Sequence, residues 1–179
     1  MISVSFSGET VAQITAGAEI TVSVPDNCLI ATNNAPVNLT LSTLVAGAAV
    51  AAVSNSDMFV RVSSITPGGT YRKITAYVTG GTVPPGTRLT LVAALSTNAN
   101  GAGDCGTVSP PIILSAIDQL LIRGIGSYYT GTGLTDGYRL TYTWGPYSPA
   151  TDYHLIQATE VPTTLTIMLT ISSPDGTNK

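Results

Sequence analysis

Residues 164–172 read TLTIMLTIS, and this stretch decides the fold class. Its apolar side chains stand at every second position, at Leu165, Ile167, Leu169 and Ile171. Because successive side chains of a β-strand point to opposite faces, this period of two is typical of a strand with one buried face and one solvent-facing face. Such a strand must pair with its own sheet or with the sheet of a neighbouring molecule.

The same alternation opens the chain. Ile2, Val4 and Phe6 alternate with serines, and the pattern returns over residues 20–24. Both terminal segments are therefore candidates for strand exchange between subunits. We expect the N-terminal segment to be the better donor, because it is short and is separated from the next strand by glycine- and alanine-rich chain.

Ten runs have the composition of strands, and clusters of Gly, Pro, Asn and Asp separate them. The runs cover residues 2–6, 14–24, 37–44, 58–65, 72–78, 87–95, 112–114, 120–122, 138–144 and 164–172. Short strands at this spacing predict an all-β fold with little helix, an antiparallel β-sandwich or jelly roll of about 8–10 strands in a single domain, residues 1–179. For the alanine-rich residues 42–53, helix and irregular structure remain alternatives.

The composition requires a surface that is polar without being charged. Charged residues make up 9% of the chain, against about a quarter in soluble proteins. The chain instead has 27 threonines and 16 serines, and threonine suits a strand because its methyl group packs while its hydroxyl faces water. Such a composition is typical of secreted and surface β proteins and of some viral coat proteins.

The charge pattern excludes several classes of partner. Ten acidic and seven basic residues are scattered along the chain, for a net charge of −3. A nucleic-acid groove needs clustered Lys and Arg, so we expect no nucleic-acid partner.

The longest apolar stretches are too short and too rich in Ala and Gly to span a bilayer. The first residues lack the basic and apolar regions of a signal peptide. We expect the mature form of an extracytoplasmic protein, and residence in the cytosol or in a virion is the alternative.

Cys28 and Cys105 are the two cysteines of the chain. A pair of cysteines in a hydroxyl-rich chain is typical of one disulfide, and two free thiols are the alternative. Together with a single histidine, they are too few for a structural zinc site, which needs four ligands. We therefore expect neither a metal nor a cofactor.

Most aromatic residues lie between positions 128 and 153. Tyr138, Tyr142 and Trp144 stand at even spacing, so they share one face of one predicted strand. An exposed platform of this kind stacks on sugar rings, which makes these residues a candidate glycan site. The alternative is that the same face covers the core.

Catalytic chemistry has no comparable pattern. His154 lies two residues from Asp152, but no serine has the setting of a nucleophile elbow. No two carboxylates stand out for glycoside hydrolysis, and the glycines of residues 124–133 lack the order of a dinucleotide site. We therefore expect no catalytic residues and a protein that is not an enzyme.

These features together resemble the β-sandwich subunits of bacterial pili and cell surfaces. The likeness rests on the alternating residues 2–6, the threonine-rich body with two cysteines, and the amphipathic residues 165–171. The stretch GIGSYYTGTG at 124–133, followed by GYRLTYTW at 137–144, also resembles the C-terminal half of exported β proteins of the Bacteroidetes type. In pilin families a terminal strand of one subunit completes the sandwich of the next, and the resemblance implies that role here for one of the two terminal segments.

We accordingly expect a non-enzymatic, extracytoplasmic structural or adhesive subunit of a pilus, fibre or surface layer, which self-associates through its edge strands. Two alternatives remain. One is a carbohydrate-binding module that uses the Tyr138, Tyr142 and Trp144 face, and the other is a viral or phage coat protein with a jelly-roll fold.

Overall fold

The computed structural model describes residues 17–42, 45–97, 101 and 103–177, and confirms the all-β class. The described residues form ten strands: β1 Asn27–Thr32, β2 Val53–Ile65, β3 Arg72–Gly80, β4 Thr87–Leu95, β5 Cys105–Val108, β6 Ile112–Ile113, β7 Gln119–Ile125, β8 Tyr128–Tyr129, β9 Tyr138–Pro146 and β10 Thr166–Ile171. A single-turn 3-10 helix, Tyr153–Leu155, interrupts the connection from β9 to β10. Within these described ranges there is no α-helix.

The strands form two antiparallel sheets. The first has the order β1-β2-β9-β4-β6, with β8 beside β2, and the second has the order β10-β3-β7-β5. Successive strands from β2 to β7 alternate between the two sheets, so each connection crosses from one layer to the other. The orders β2-β9-β4-β6 and β3-β7-β5 are those of a jelly roll that lacks the edge strand beside β5, because residues 109–111 lead directly from β5 to β6.

The core lies between the two sheets. The first sheet contributes Val60, Leu91 and Leu140, and the second contributes Ile74 and Ile122, all of them fully buried in one apolar cluster. On β2, β4 and β9 the buried side chains stand at alternate positions, so one face of each strand meets the opposite sheet. The structure is thus the predicted β-sandwich, and these three strands have the single buried face that the alternation of apolar residues predicts.

Several predicted runs differ from the observed strands. The described part of the predicted run 37–44 forms no strand, although Val37 and Leu39 pack against the core. The described residues 17–24 of the predicted run 14–24 also form no strand, and residues 2–6 lie outside the described residues. In the alanine-rich residues 42–53, the described part is turn and irregular chain before β2 begins.

Besides the two-residue β8, two observed strands were not predicted, β1 and β5. β1 lies between the predicted runs 14–24 and 37–44, because the outward-facing Leu29 is apolar and hides the alternation. β5 lies between the predicted runs 87–95 and 112–114 and escaped prediction because it has four residues and includes Gly106 with φ of +81°. Both strands are defined by their partners, β2 and β7, rather than by their own pattern.

Candidate functional site

Residues 17–25, which we call the arm, precede β1 and belong to no sheet in the described part of the chain. The side chains of Ile20, Val22 and Val24 are 83%, 85% and 77% exposed. They alternate with Thr21 and Ser23, as in a strand with one apolar face. The arm therefore has the pattern of a half-buried strand but, within the described chain, no surface that buries it.

The arm is attached at its base by a buried arginine. Asp26, the residue that follows the arm, forms a salt bridge with Arg72 at the start of β3. Arg72 also donates from Nε to Ser64 Oγ (3.2 Å) and from Nη1 to the carbonyl oxygen of Ser172 (2.9 Å). These contacts join the base of the arm to the end of β2 and to the chain just after β10, and we call them the Arg72 clamp.

One side of the sandwich, which we call the open side, is formed by the outer edges of β1 and β10. The two strands contact each other across the layers, and among the described residues each is the last strand of its sheet. Each has six residues, and neither contains a charged residue or a proline. Natural sheets protect their edges with charges, prolines, bulges or short strands, because an unpaired edge is a template for another chain.

The opposite side of the sandwich carries such protection. Its edge strands are β5, with four residues, and β6, with two. Gly106 interrupts the regular backbone of β5 with φ of +81°, and Pro110 and Pro111 precede β6. The open side differs from it, because its two edge strands in the described chain are longer and contain neither a proline nor a charged residue.

The C-terminal candidate for strand exchange has a partner inside the chain. β10 pairs antiparallel with β3, with Ile167 opposite Val78 and Leu169 opposite Ala76. The half-buried side chains of Leu165, Ile167, Leu169 and Ile171 pack against the core. The strand thus belongs to its own sandwich and presents only its outer edge. The N-terminal candidate residues Ile2, Val4 and Phe6 lie outside the described residues, so exchange through them stays a prediction.

The aromatic face lies inside the sandwich. Tyr138 and Tyr142 are 1% and 4% exposed, and Trp144 is half-buried against the same core. Burial raises the pKa of the Tyr142 hydroxyl to about 12. The pKa of Tyr138 is also raised, first by burial and then by the nearby Cys105 and Tyr128. The three side chains share one face as predicted, but it is the inner face of β9, so the expected surface platform does not form from them.

Cys28 and Cys105 are free thiols in the structure, so the predicted disulfide is not formed there. Cys28 lies on β1 in the first sheet, and Cys105 lies on β5 in the second. Both are half-buried. The carbonyl oxygen of Cys105 accepts a hydrogen bond from the Tyr138 hydroxyl, which fixes β5 to the inner face of β9.

The remaining candidate groups lie apart. His154 is exposed in the 3-10 helix, two positions after the half-buried Asp152 in the chain. Across the described ranges, no three His, Cys, Asp or Glu side chains come together in a group that could hold a metal ion. No helix in the described part of the chain has the length and apolar character needed to cross a membrane.

Sequence reasoning missed the Arg72 clamp and the exposure of the arm. The alternation of residues 20–24 predicts a strand, but these residues form none and belong to no sheet in the described part of the chain. Pro25 and Asp26 end the alternation before β1 begins, but no local pattern indicates whether the segment enters its own sheet. Comparison with known proteins adds no assignment, since no protein-family model, curated protein or solved structure matches the chain.

Proposed function

We propose that this protein is a non-enzymatic structural or adhesive subunit, located outside the cytoplasm, that self-associates through edge-strand pairing. The observation that carries the proposal is the arm, whose three β-branched apolar side chains are more than three-quarters exposed. The edges of the open side, whose strands β1 and β10 contain no charged residue or proline, provide surfaces to which such a segment can add. The uncharged, threonine-rich composition supports the extracytoplasmic location.

Strand addition would remove two sources of instability at once, the unpaired backbone groups of the sheet edge and the exposed apolar side chains of the arm. The outer backbone groups of an edge strand gain hydrogen-bond partners from the added segment, and alternate apolar side chains leave water. Burial of an Ile or Val side chain stabilises by roughly 1.5–3 kcal/mol. Three such side chains on the arm offset a large part of the entropy lost when the segment is ordered.

The test is the assembly state of the purified chain over a range of concentrations, by light scattering and electron microscopy. The test variant carries Ile20→Ser, Val22→Ser and Val24→Ser, and we expect it to remain monomeric where the unmodified protein assembles. A matched control carries Ile117→Ser, Leu134→Ser and Val161→Ser, three other apolar residues that are 74%, 67% and 75% exposed. The control should assemble normally. Equal assembly of the arm variant and the unmodified chain would contradict the proposal, as would a protein that stays monomeric throughout.

A viral or phage coat protein is the second candidate, and the strand order favours it. The orders β2-β9-β4-β6 and β3-β7-β5 follow a jelly roll, an architecture found in viral capsid proteins and also in lectins and cupins. Because one fold serves many functions, the form of the assembly has to decide between the two candidates. Closed shells in electron micrographs would favour a coat protein, and filaments or sheets would favour a fibre or surface-layer subunit.

A further inference from the structure

The geometry points to a specific acceptor for the arm: residues 20–24 of one copy add antiparallel to the outer edge of β10 in a second copy. This inference rests on the proposed function and names the contact through which the subunits assemble. It requires that β10 has free backbone groups on its outer side, that its apolar pattern matches the arm, and that the arm cannot make the same contact within its own chain.

The hydrogen-bond pattern of the second sheet shows which backbone groups of β10 face outwards. The Val78 N–H donates to the Ser115 carbonyl oxygen (2.8 Å), away from β10. Ile167 lies opposite Val78, so the backbone N–H and C=O groups of these two residues point away from each other. Consistently, the Ser172 N–H points towards β3 and donates to the Lys73 carbonyl oxygen (2.9 Å). Every second residue of β10, beginning with Ile167, thus directs its N–H and C=O to the outer edge, where no described strand pairs with it.

The apolar pattern of the arm matches that edge. Antiparallel pairing with Val22 opposite Leu169 places the two other apolar arm residues opposite Ile167 and Ile171. All three pairs then lie on the inner face of the sheet, next to side chains that are half-buried in the isolated chain. Apolar cross-strand pairs of this kind stabilise a sheet.

β1, the other edge of the open side, is a poorer match. Its half-buried inward side chains are Cys28, Ile30 and Thr32, so an added strand would meet one large aliphatic side chain instead of three. β10 is also regular beyond the irregularity between Thr166 and Ile167, which leaves its last five residues for pairing. Five residues is the length of the alternating part of the arm.

The direction of the chain excludes this contact within one molecule. The Arg72 clamp holds Asp26, the residue after the arm, close to Ser172, the residue after β10. Both segments therefore run towards the clamp, and an arm lying along the β10 of its own chain would be parallel to it. An antiparallel arm at this edge must belong to a second copy.

Cysteine cross-linking tests the contact directly. In the proposed register Thr21 lies opposite Thr170, in a pair without mutual hydrogen bonds, where Cα atoms are about 4.5 Å apart and suited to a disulfide. The variant Thr21→Cys with Thr170→Cys is made in a background of Cys28→Ser and Cys105→Ser. The matched control combines Thr21→Cys with Ala31→Cys, which occupies the corresponding outward-facing position on β1. The two single variants of the first pair control for contacts between like cysteines.

We expect the Thr21/Thr170 pair to form covalent dimers and longer chains under mild oxidation, while the β1 pair and the single variants stay largely uncross-linked. Two outcomes would overturn the β10 contact and leave the proposed function standing. One is covalent oligomers from the β1 pair instead, and the other is no covalent oligomers from either pair in a background that still assembles. A cross-linked monomer from the Thr21/Thr170 pair would overturn the role of the second copy. A background and an unmodified chain that both remain monomeric would overturn the proposed function and this inference together.

Discussion

The guanidinium group of Arg72 binds the carboxylate of Asp26 and so joins the base of the arm to the second sheet. Arg72 is 4% exposed, whereas the Asp26 side chain is 43% exposed. A buried guanidinium is costly to desolvate unless its donors are satisfied, and here Ser64 of β2 and the carbonyl oxygen of Ser172 accept from the same group. One side chain therefore connects both sheets at the end of the sandwich where the arm leaves it.

Replacement of Arg72 by lysine should lower the free energy of unfolding by roughly 2–4 kcal/mol, because a single ammonium group cannot span the same three partners. Urea unfolding followed by circular dichroism measures the change. Arg139→Lys is the control, since Arg139 is exposed on β9, and it should alter stability by no more than about 0.5 kcal/mol. Equal effects of the two substitutions would show that the clamp does not stabilise the fold.

Gly137→Ala should destabilise the protein by roughly 3 kcal/mol or more, through backbone strain and a steric clash. Gly137 has φ of +91°, and an added Cβ would overlap the carbonyl oxygen of Val60 on the neighbouring strand. Gly176→Ala is the matched control, because nothing lies within 4 Å of a Cβ at that position. Thermal unfolding of both variants gives the comparison, and a Gly137→Ala protein as stable as the control would contradict the β2–β9 geometry at this point.

The stability of the protein should fall as the pH rises from about 10 to 12. Burial raises the pKa of Tyr142 to about 12, above its value of about 10 in an unfolded chain. In this window the unfolded state loses the phenolic proton while the folded state keeps it, so unfolding is favoured. The contribution of Tyr142 is intact below pH 10 and decreases by roughly 2 kcal/mol at pH 12.

Unfolding at a series of alkaline pH values, for the unmodified chain and for Tyr142→Phe, measures this contribution. The substitution should make the loss of stability with pH less steep. Tyr147→Phe is the control, because Tyr147 is 54% exposed, and it should leave the slope unchanged. Identical slopes for all three proteins would mean that Tyr142 titrates normally in the folded state.

Thr87→Val should destabilise the protein by roughly 1–3 kcal/mol, because it leaves two partners without their hydrogen bonds. The Trp144 Nε1–H donates to Thr87 Oγ1 (2.9 Å), and Thr87 Oγ1 donates to the carbonyl oxygen of Pro84 (2.6 Å). Trp144 is the only tryptophan in the chain, so its fluorescence reports on this contact. Thr107→Val, on the exposed part of β5, should leave both emission and stability unchanged. An unaltered Thr87→Val protein would contradict the contact.

The strands with a clear period of two could be predicted from the sequence. β4 has the predicted bounds, and β10 lies within residues 164–172, because in both segments alternation records a buried face and an exposed face. β1 and β5 could not be predicted, since Leu29 breaks the pattern of one and Gly106 that of the other. Their pairing depends on β2 and β7, which are distant in the chain.

The candidate site was also predictable only in part, because it depends on contacts between segments that are distant in the chain. Alternation identified residues 20–24 as strand-like, but whether they enter their own sheet depends on the neighbours that the fold places beside them. Spacing put Tyr138, Tyr142 and Trp144 on one face, but the direction of that face depends on the position of the opposite sheet. Arg72 and Asp26 carry no local pattern, because their contact spans 46 positions of the chain.

The amino-acid sequence of this chain is sufficient for the all-β class, the position of most strands, and the uncharged surface, since each of these follows from side chains a few positions apart. The order of the strands, the open side and the unpaired arm arise only when distant segments pack. Backbone hydrogen bonds and the burial of inner faces select among many pairings that local alternation permits equally well. The same two interactions, extended from the edge of one copy to the arm of another, are the proposed basis of its assembly.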